Sequence, residues 1–219
     1  MKKAILFDLD GTLVDSLPDI AAAMNRSLEK AGLPTFPTRD YLMKVGNGVF
    51  KLTERSVGER TDMFDKVLGY YRADYAENCA VDSRPYPGIP EALKAFECMG
   101  LKVCCLSNKD ETDVKKVLGY CFPGFAFTVT RGRRDGVPLK PDPAAALSIL
   151  EEIGVTTEEA VFVGDTLMDV SCGKNAGITS IGVTWGFRPR EDVLTYGADH
   201  IADSAEDLEK IVRELCERE

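Results

Sequence analysis

Histidine is nearly absent from this sequence, which contains one, His200, among 219 residues. A single histidine so late in the chain excludes a Ser-His-Asp hydrolase and a zinc centre with several histidine ligands. An excess of basic residues is missing too, because 27 lysines and arginines are set against 36 aspartates and glutamates, giving a net charge of −9. Nucleic acids and anionic membranes both require a basic surface. We therefore expect neither nucleic acid nor a membrane as a partner.

Paired cysteines and long apolar runs are also missing. The seven cysteines form no Cys-x-x-Cys pair, and an odd number cannot pair completely within one chain. We interpret them as reduced thiols, with Cys104 and Cys105 as small core residues. The apolar run near the N-terminus is too short for a signal peptide, and no stretch approaches the roughly 20 residues of a membrane helix. These features together predict a cytoplasmic protein.

What the sequence does contain is a pair of carboxylates directly after a buried strand. The apolar residues 4–7 (AILF) predict that strand, and Asp8 and Asp10 follow it. Side chains two positions apart on an extended chain point the same way, so both would converge at the strand end where open parallel sheets bind ligands. The alternative is a strand followed by an ordinary turn, with Asp10 capping its own backbone and Asp8 solvated.

The rest of the chain divides into a helical stretch and an alternating stretch. Helical spacing without a convincing strand fills residues 16–84, from a start at Ser16 and Pro18 through segments at 38–45, 49–58 and 61–79. A proline-rich connection over 84–90 then begins an alternation of helices and short strands. The predicted helices cover 91–99, 111–120, 142–153 and 205–217, and the predicted strands cover 102–106, 126–129, 160–163, 180–183 and a short segment near His200.

This order predicts an α/β fold with an insertion. Strands separated by helices of this length imply right-handed crossovers, a parallel sheet of Rossmann-like type and helices on both faces. The first strand must join that sheet. We therefore predict a core formed by residues 1–15 and 85–219, with residues 16–84 as a small all-helical domain inserted between the first strand and the rest.

Further polar residues follow the later predicted strands. They are Ser107 and Asn108, Lys140, and the carboxylates Asp165 and Asp169. Carboxylates gathered at one sheet edge repel one another unless a hard cation neutralises them, and Mg²⁺ prefers such oxygen ligands. A lysine and a serine hydroxyl are donors suited to phosphoryl oxygens. The set therefore predicts a Mg²⁺ site and phosphoryl transfer.

Four ordered motifs resemble those of the haloacid dehalogenase superfamily. They are residues 8–14 (DLDGTLV), 107–108 (SN), 140–141 (KP) and 164–169 (GDTLMD). The insertion after the first motif resembles the helical cap of that superfamily. Within it the chain is most similar to phosphoglycolate phosphatases, through residues 15–16 (DS), 45–48 (VGNG) with 54–55 (ER), 107–109 (SNK) and 184–187 (TWGF).

The resemblance implies roles for the four aspartates. Asp8 would be the nucleophile that forms an aspartyl-phosphate, which suits a carboxylate because it needs no deprotonation at neutral pH. Asp10 would protonate the leaving alkoxide and then activate the attacking water. Asp165 would bind the metal together with Asp8 and the backbone carbonyl of Asp10. Asp169 would be a direct ligand or a partner of one, or else a first-turn carboxylate stabilised by the helix dipole.

The resemblance also implies a phosphate-binding set. Ser107 and the backbone of Asn108 would hold the transferring phosphoryl group, while Lys140 would neutralise charge on its equatorial oxygens. Each residue type also occurs in purely structural roles. Ser107 could cap the following helix, and Lys140 could be a solvated residue before a proline.

The helical insertion contains two candidate substrate contacts. The closely spaced glycines of Gly46-Asn47-Gly48 allow positive backbone angles, which would let the loop amides approach a small ligand. Arg55, one helix further on, could bind a substrate carboxylate with both arms of its guanidinium. An ordinary turn between helices and a surface arginine are the alternatives.

Taken together, these residues predict a Mg²⁺-dependent phosphomonoesterase that acts on a small phosphorylated metabolite such as 2-phosphoglycolate. One alternative is a sugar phosphomutase similar to β-phosphoglucomutase. The other is a non-catalytic module that binds Mg²⁺ or a phosphoryl group, although an insertion of about seventy residues beside the first motif suggests a lid. The sequence favours neither a monomer nor a dimer.

Overall fold

A computed structural model of the chain describes residues 1–217. Its strands are β1 (Ala4–Phe7), β2 (Val14–Asp15), β3 (Arg84–Pro85), β4 (Lys102–Asp110), β5 (Val129–Arg133), β6 (Ala160–Gly164), β7 (Thr179–Val183) and β8 (His200–Ala202). Its α-helices are α1 (Leu17–Lys30), α2 (Gly48–Val57), α3 (Phe64–Asn78), α4 (Ile89–Cys98), α5 (Glu111–Cys121), α6 (Ala144–Ile153), α7 (Leu167–Ala176), α8 (Arg190–Thr195) and α9 (Ala205–Glu217). Short 3₁₀ helices occupy Thr38–Met43, Thr61–Met63 and Thr157–Glu159.

Six strands form one parallel sheet in the order β5-β4-β1-β6-β7-β8. The strand β1 lies at its centre, where Ile5 pairs with Val103 of β4 on one side and Val161 of β6 on the other. All four residues of β1 are buried, as expected for a strand covered on both faces. The carboxyl ends of β1, β4 and β6 therefore meet at the same edge of the sheet.

Helices cover both faces of the sheet. Ile5 and Phe7 pack into an apolar cluster that includes residues of α4, α5 and α9, whereas Ala4 and Leu6 pack into a second cluster with residues of α6 and α7. This alternation follows from the period of two along a strand. The predicted Rossmann-like parallel sheet is confirmed.

Several predicted elements have different boundaries in the structure. The strand expected at 126–129 begins only at Val129, and before it Phe127 packs edge-on against Phe122 and Phe125. The segment expected to be helical at 38–45 is a 3₁₀ helix. The helix α8 and the two-stranded ribbon of β2 and β3 were not predicted, because both are very short.

The helical insertion enters and leaves the core through that ribbon. Val14 pairs with Pro85 and Asp15 with Arg84, in antiparallel fashion. Just beyond the ribbon, the buried carboxylate of Asp19 accepts hydrogen bonds from the backbone amides of residues 81–83 and from a side-chain hydroxyl there. The division into a core of residues 1–15 and 85–219 and a cap of residues 16–84 stays a proposal, because apolar side chains of both parts share one cluster.

The helices of the described part of the chain differ from membrane spans in length and polarity. Within residues 1–217, none combines the length and the apolar character that crossing a bilayer requires.

Candidate active site

Three buried carboxylates meet at the carboxyl edge of the sheet. Asp8 follows β1, Asp165 follows β6, and Asp169 lies in the first turn of α7. One oxygen from each lies within 4.8 Å of the others. Like charges this close in a buried site favour proton uptake or a cation.

Lys140 supplies the balancing positive charge. Its ammonium nitrogen lies 2.7 Å from Oδ1 of Asp8 and 2.6 Å from Oδ1 of Asp169, and it donates a hydrogen bond to the carbonyl of Leu106 at 3.0 Å. Burial alone would lower the pKa of Lys140, but the two carboxylates outweigh it and raise that pKa above its usual range. A lysine this deeply buried is not the solvated residue that the sequence also allowed.

The donor set fits a divalent cation. Three carboxylates exceed one ammonium in charge, and the ammonium of Lys140, 2.7 Å from Oδ1 of Asp8, is shared with Asp169. Hard oxygen ligands of this kind suit Mg²⁺. Asp165 is held in place by the backbone amide of Phe187, which donates to its Oδ2 at 2.7 Å.

Asp169 has both oxygens engaged. Oδ1 accepts from Lys140, and Oδ2 accepts from the amide and hydroxyl of Thr166, at 3.0 and 2.5 Å, in a capping box at the start of α7. Asp169 therefore lies in the first turn of a helix, as the sequence suggested, and its carboxylate also orients Lys140. This geometry favours Asp169 as a partner of the metal-binding groups over a direct ligand.

The side chain of Asp10 lies apart from the carboxylate cluster. Its Oδ1 accepts hydrogen bonds from the hydroxyl of Ser16 and the ammonium of Lys109, each at 2.5 Å. The prediction that Asp10 helps to hold a metal therefore rests on its backbone carbonyl and not on its carboxylate. Lys109, the last residue of the motif at 107–109, is thus paired with Asp10.

Ser107 and Asn108 lie in the last part of β4, which continues four residues beyond the predicted strand end at Leu106. Ser107 does not cap α5, because Asp110 occupies the residue before that helix. The side chain of Asn108 exchanges two hydrogen bonds with the backbone of Lys140, at 2.9 and 3.2 Å. The phosphate-binding candidates are thus fixed against one another.

A cleft of about 650 Å³, counting the space that opens to solvent, joins these groups to the helical insertion. Its floor contains Asp8, Asp10, Ser107, Asn108 and Lys140. Its wall is mostly apolar and comes from α1, the glycine loop, α2 and α3, with the side chains of Ile20, Val45, Val49, Leu52, Tyr71 and Tyr75. Sequence reasoning missed this wall, because apolar residues at helical spacing predict core packing equally well.

The glycine loop lies directly over the core. Gly46 and Gly48 line the cleft with φ angles of +105° and +79°, and a Cβ atom on Gly48 would lie only 3.2 Å from the carbonyl oxygen of Asn108. Glycine is therefore required here both for the backbone angle and for the close approach. The loop is more than an ordinary turn between helices.

Arg55 does not reach the cleft. Its exposed guanidinium donates to the carbonyl of Lys44 and to the side-chain oxygen of Asn47, both at 2.9 Å. The structure therefore corrects the predicted contact of Arg55 with a substrate carboxylate, since this arginine braces the loop from outside. Asn47 likewise turns its side chain to Arg55.

Arg188 is a contact that the sequence analysis missed. It lies in the loop after β7, and its guanidinium donates to the backbone carbonyls of Leu42 and, at 2.7 Å, Val45. These carbonyls belong to the segment that leads into the glycine loop. No local sequence signal identifies Arg188, because its partners are about 140 residues away.

The metal-free protein is expected to lose stability as the pH rises. Burial, followed by the charge of Asp169, raises the pKa of Asp8 to about 7, and the same causes raise the pKa of Asp165 to about 8. A carboxyl group with a raised folded-state pKa binds more protons when folded, so stability falls between the unfolded pKa near 4 and these values. The melting temperature in chelator should be at least about 4 °C higher at pH 5.5 than at pH 8.

Saturating Mg²⁺ is the matched condition for that experiment. A cation bound to the cluster favours the ionised carboxylates, so the difference between pH 5.5 and pH 8 should shrink or reverse. The surface carboxylates with lowered pKa, such as Glu111 near 2, lose their stabilising effect only below this window. An equal melting temperature at both pH values in chelator would contradict the expectation.

The sequence matches a family model described as haloacid dehalogenase-like hydrolase over residues 2–177. It is 36% identical over 185 residues to a phosphoglycolate phosphatase of Aquifex aeolicus, covering 84% of this chain and 86% of that protein. It is 31% identical over 219 residues to a phosphoglycolate phosphatase of Nitrosospira multiformis, covering 96% of each. The fold matches the crystal structure of a candidate phosphoglycolate phosphatase from Lactobacillus delbrueckii subsp. bulgaricus with a TM-score of 0.90 and 29% identity, over 97% of this chain and 99% of that one.

Proposed function

The chain belongs to the haloacid dehalogenase-like hydrolases and is a phosphatase of that family, and we propose that it hydrolyses 2-phosphoglycolate with Mg²⁺ through an aspartyl-phosphate on Asp8. The observation that carries this proposal is the buried cluster of Asp8, Lys140, Asp165 and Asp169 at the floor of the cleft. The relatives named phosphoglycolate phosphatase support the choice of substrate.

In the proposed first step, an oxygen of Asp8 forms a bond to phosphorus while the ester bond between phosphorus and the leaving oxygen breaks. Asp10 gives its proton to that oxygen, which departs as the alcohol of glycolate. Lys140 and the hydroxyl of Ser107 donate to the phosphoryl oxygens as their charge rearranges. Mg²⁺, when bound by Asp8, Asp165 and the Asp10 carbonyl, supplies positive charge at the transferring phosphoryl group.

In the second step, Asp10 takes a proton from a water molecule that attacks the phosphorus of the aspartyl-phosphate. The bond to Asp8 breaks, and inorganic phosphate leaves with Asp8 restored as a carboxylate. The glycine loop approaches Asn108 closely and Arg188 anchors the segment before it, so the insertion covers part of the floor of the cleft.

The apolar wall favours a small acid over a sugar phosphate. Ile20, Val45, Val49 and Leu52 cannot form hydrogen bonds with sugar hydroxyls, so hydroxyls buried on this part of the wall would lack partners, which is unfavourable. This observation supports a phosphatase over a phosphomutase of the β-phosphoglucomutase type. The lid-like position of the insertion supports an enzyme over a module that only binds a phosphoryl group.

The test is phosphate release from 2-phosphoglycolate, β-glucose 1-phosphate, glucose 6-phosphate, a nucleoside monophosphate and pyrophosphate, with Mg²⁺ and with chelator. We expect kcat/KM for 2-phosphoglycolate to exceed kcat/KM for every other substrate at least about tenfold. Chelation of the metal should remove the activity. Conversion of β-glucose 1-phosphate to glucose 6-phosphate, followed by ³¹P NMR, would establish the phosphomutase instead. If phosphate is neither released nor transferred from any ester, the result would favour the non-catalytic binding module.

The remaining expectations stay proposals. A cytoplasmic location and the absence of nucleic-acid and membrane partners rest on the cysteine pattern and on the net charge of −9. A small phosphorylated metabolite is the partner that the family and the cleft support.

A further inference from the structure

Tyr75 carries a buried hydroxyl without a hydrogen-bond partner. The residue lies on α3, is 1% exposed and lines the cleft, and no group within residues 1–217 bonds to its hydroxyl. Its ring is held in place by stacking on Tyr71, with ring centres 5.1 Å apart. Burial raises the pKa of Tyr75 well above its usual range, so the hydroxyl keeps its proton and stays a donor. An unsatisfied donor on a binding cleft is what a ligand acceptor would complete.

Lys109 places a second donor at the same end of the cleft. Its side chain is 8% exposed, and its ammonium lies 5.0 Å from the centre of the Tyr75 ring. An ammonium has three donors, and within residues 1–217 only Asp10 accepts one from it. The ammonium is ion-paired with the carboxylate of Asp10 at 2.5 Å, which favours its charged form.

We propose that the Tyr75 hydroxyl and the Lys109 ammonium form the subsite for a carboxylate on the leaving group of the substrate. This inference rests on the proposed phosphatase function and assigns the residues that would give it its specificity. A hydroxyl donor and an ammonium together match the two oxygens of a carboxylate. In 2-phosphoglycolate the carboxylate is one carbon from the ester oxygen, and Lys109 adjoins Asp10, the group proposed to protonate that oxygen.

The other charges of the cleft leave this subsite to Lys109. The carboxylate of Asp110 is paired with Arg133 at 2.9 Å and lies 3.8 Å from Arg72. Burial raises the pKa of Asp113, a further carboxylate of the cleft lining. Lys140 is already shared between Asp8 and Asp169. Lys109 is therefore the cation of the lining that adjoins Asp10 and is not shared with the carboxylate cluster, whereas Arg72 lies near Asp110.

The first test compares 2-phosphoglycolate with ethyl phosphate, in which a methyl group replaces the carboxylate. Tyr75→Phe removes only the hydroxyl, and we expect it to lower the ratio of the two kcat/KM values at least about tenfold, mainly through KM for 2-phosphoglycolate. Tyr70→Phe is the matched control, because Tyr70 lies on the same helix outside the cleft, against Lys30. An unchanged ratio in Tyr75→Phe would overturn the proposal.

Lys109 is tested by a pair of variants. Lys109→Met should remove the preference for the carboxylated ester, and Lys109→Arg, which keeps the charge, should restore part of it. If Lys109 has a merely structural role, its substitution would lower kcat/KM for both substrates in proportion and leave the ratio of the two values as in the wild type. Circular dichroism of each variant checks that the fold is retained.

A binding measurement separates this proposal from the proposed function. We would titrate the Mg²⁺-loaded protein calorimetrically with 3-phosphonopropionate and with propylphosphonate, which lacks the carboxylate. The carboxylated probe should bind at least about tenfold more tightly, and Tyr75→Phe should remove most of that difference. Equal affinities in the wild type would overturn the subsite, even for an active phosphatase. Tighter binding of the carboxylated probe by a protein that hydrolyses no ester would support the subsite and reject the proposed function.

Discussion

Replacing Asp8 with asparagine should abolish phosphate release, with kcat at least about 10⁴-fold lower. The amide has nearly the shape of the carboxylate but cannot attack phosphorus. At pH 8 in chelator, however, the variant should melt at a higher temperature than the wild type. The reason is that Asp8 is one of three clustered carboxylates whose ionised forms repel one another. Activity and stability would thus change in opposite directions.

The measurement pairs steady-state kinetics with thermal unfolding. Asp203→Asn serves as the control, since Asp203 is a half-exposed carboxylate paired with Arg190 and far in sequence from the cluster. Rapid quenching after mixing with ³²P-labelled substrate should label the wild type and leave the Asp8 variant unlabelled. Retention of more than a few per cent of kcat, or equal labelling of both proteins, would reject Asp8 as the nucleophile.

Replacing Lys140 with methionine should reduce both activity and stability. The substitution keeps most of the side-chain volume but leaves Asp8 and Asp169 without their buried cation. Breaking a buried ion pair in this way typically lowers the free energy of unfolding by about 3–5 kcal/mol. We expect kcat/KM to fall by about 10³-fold, because the phosphoryl group also loses a charged donor.

The pH dependence distinguishes the two effects of the Lys140 substitution. At pH 5.5 the carboxylates of the cluster take up protons more readily, so the stability deficit in chelator should shrink relative to pH 8. Activity should not recover with it. Lys140→Arg is the matched variant, because it keeps the charge in a different shape. A deficit that is the same at both pH values would mean that lost packing, and not unpaired charge, destabilises the protein.

The meeting of these carboxylates and Lys140 at one edge of the sheet could be predicted from the sequence because its signals are local. Asp8, Lys140 and Asp165 each follow a short apolar run or a proline-bearing turn, and the topology of a parallel sheet brings such positions together. The prediction of a parallel sheet with an inserted helical segment depended on the same alternation. Neither prediction required knowledge of how the helices pack against one another.

The substrate end of the cleft could not be predicted in the same way. A helical period of 3.6 shows that Tyr71 and Tyr75 share a face, but not whether that face meets a core or a cavity. Arg55 seemed suitable as a cation near a glycine loop, whereas the structure turns it outwards and places Lys109 in the cleft instead. Arg188 depends on a contact across the whole chain. Such choices are made by tertiary packing, which short sequence patterns do not encode.

The ribbon of β2 and β3 sets the two ends of the helical insertion side by side. For the core, the segment between Asp15 and Arg84 acts as one connection between two neighbouring points. Its length matters little for the entropic cost of joining those points, because the entropy of closing a loop depends only weakly on loop length. A different insertion with the same two ends would still have to supply apolar side chains to the cluster that the insertion shares with the core. A change of substrate preference would therefore involve both parts of the chain, because in the proposed subsite Tyr75 belongs to the insertion and Lys109 to β4 of the sheet.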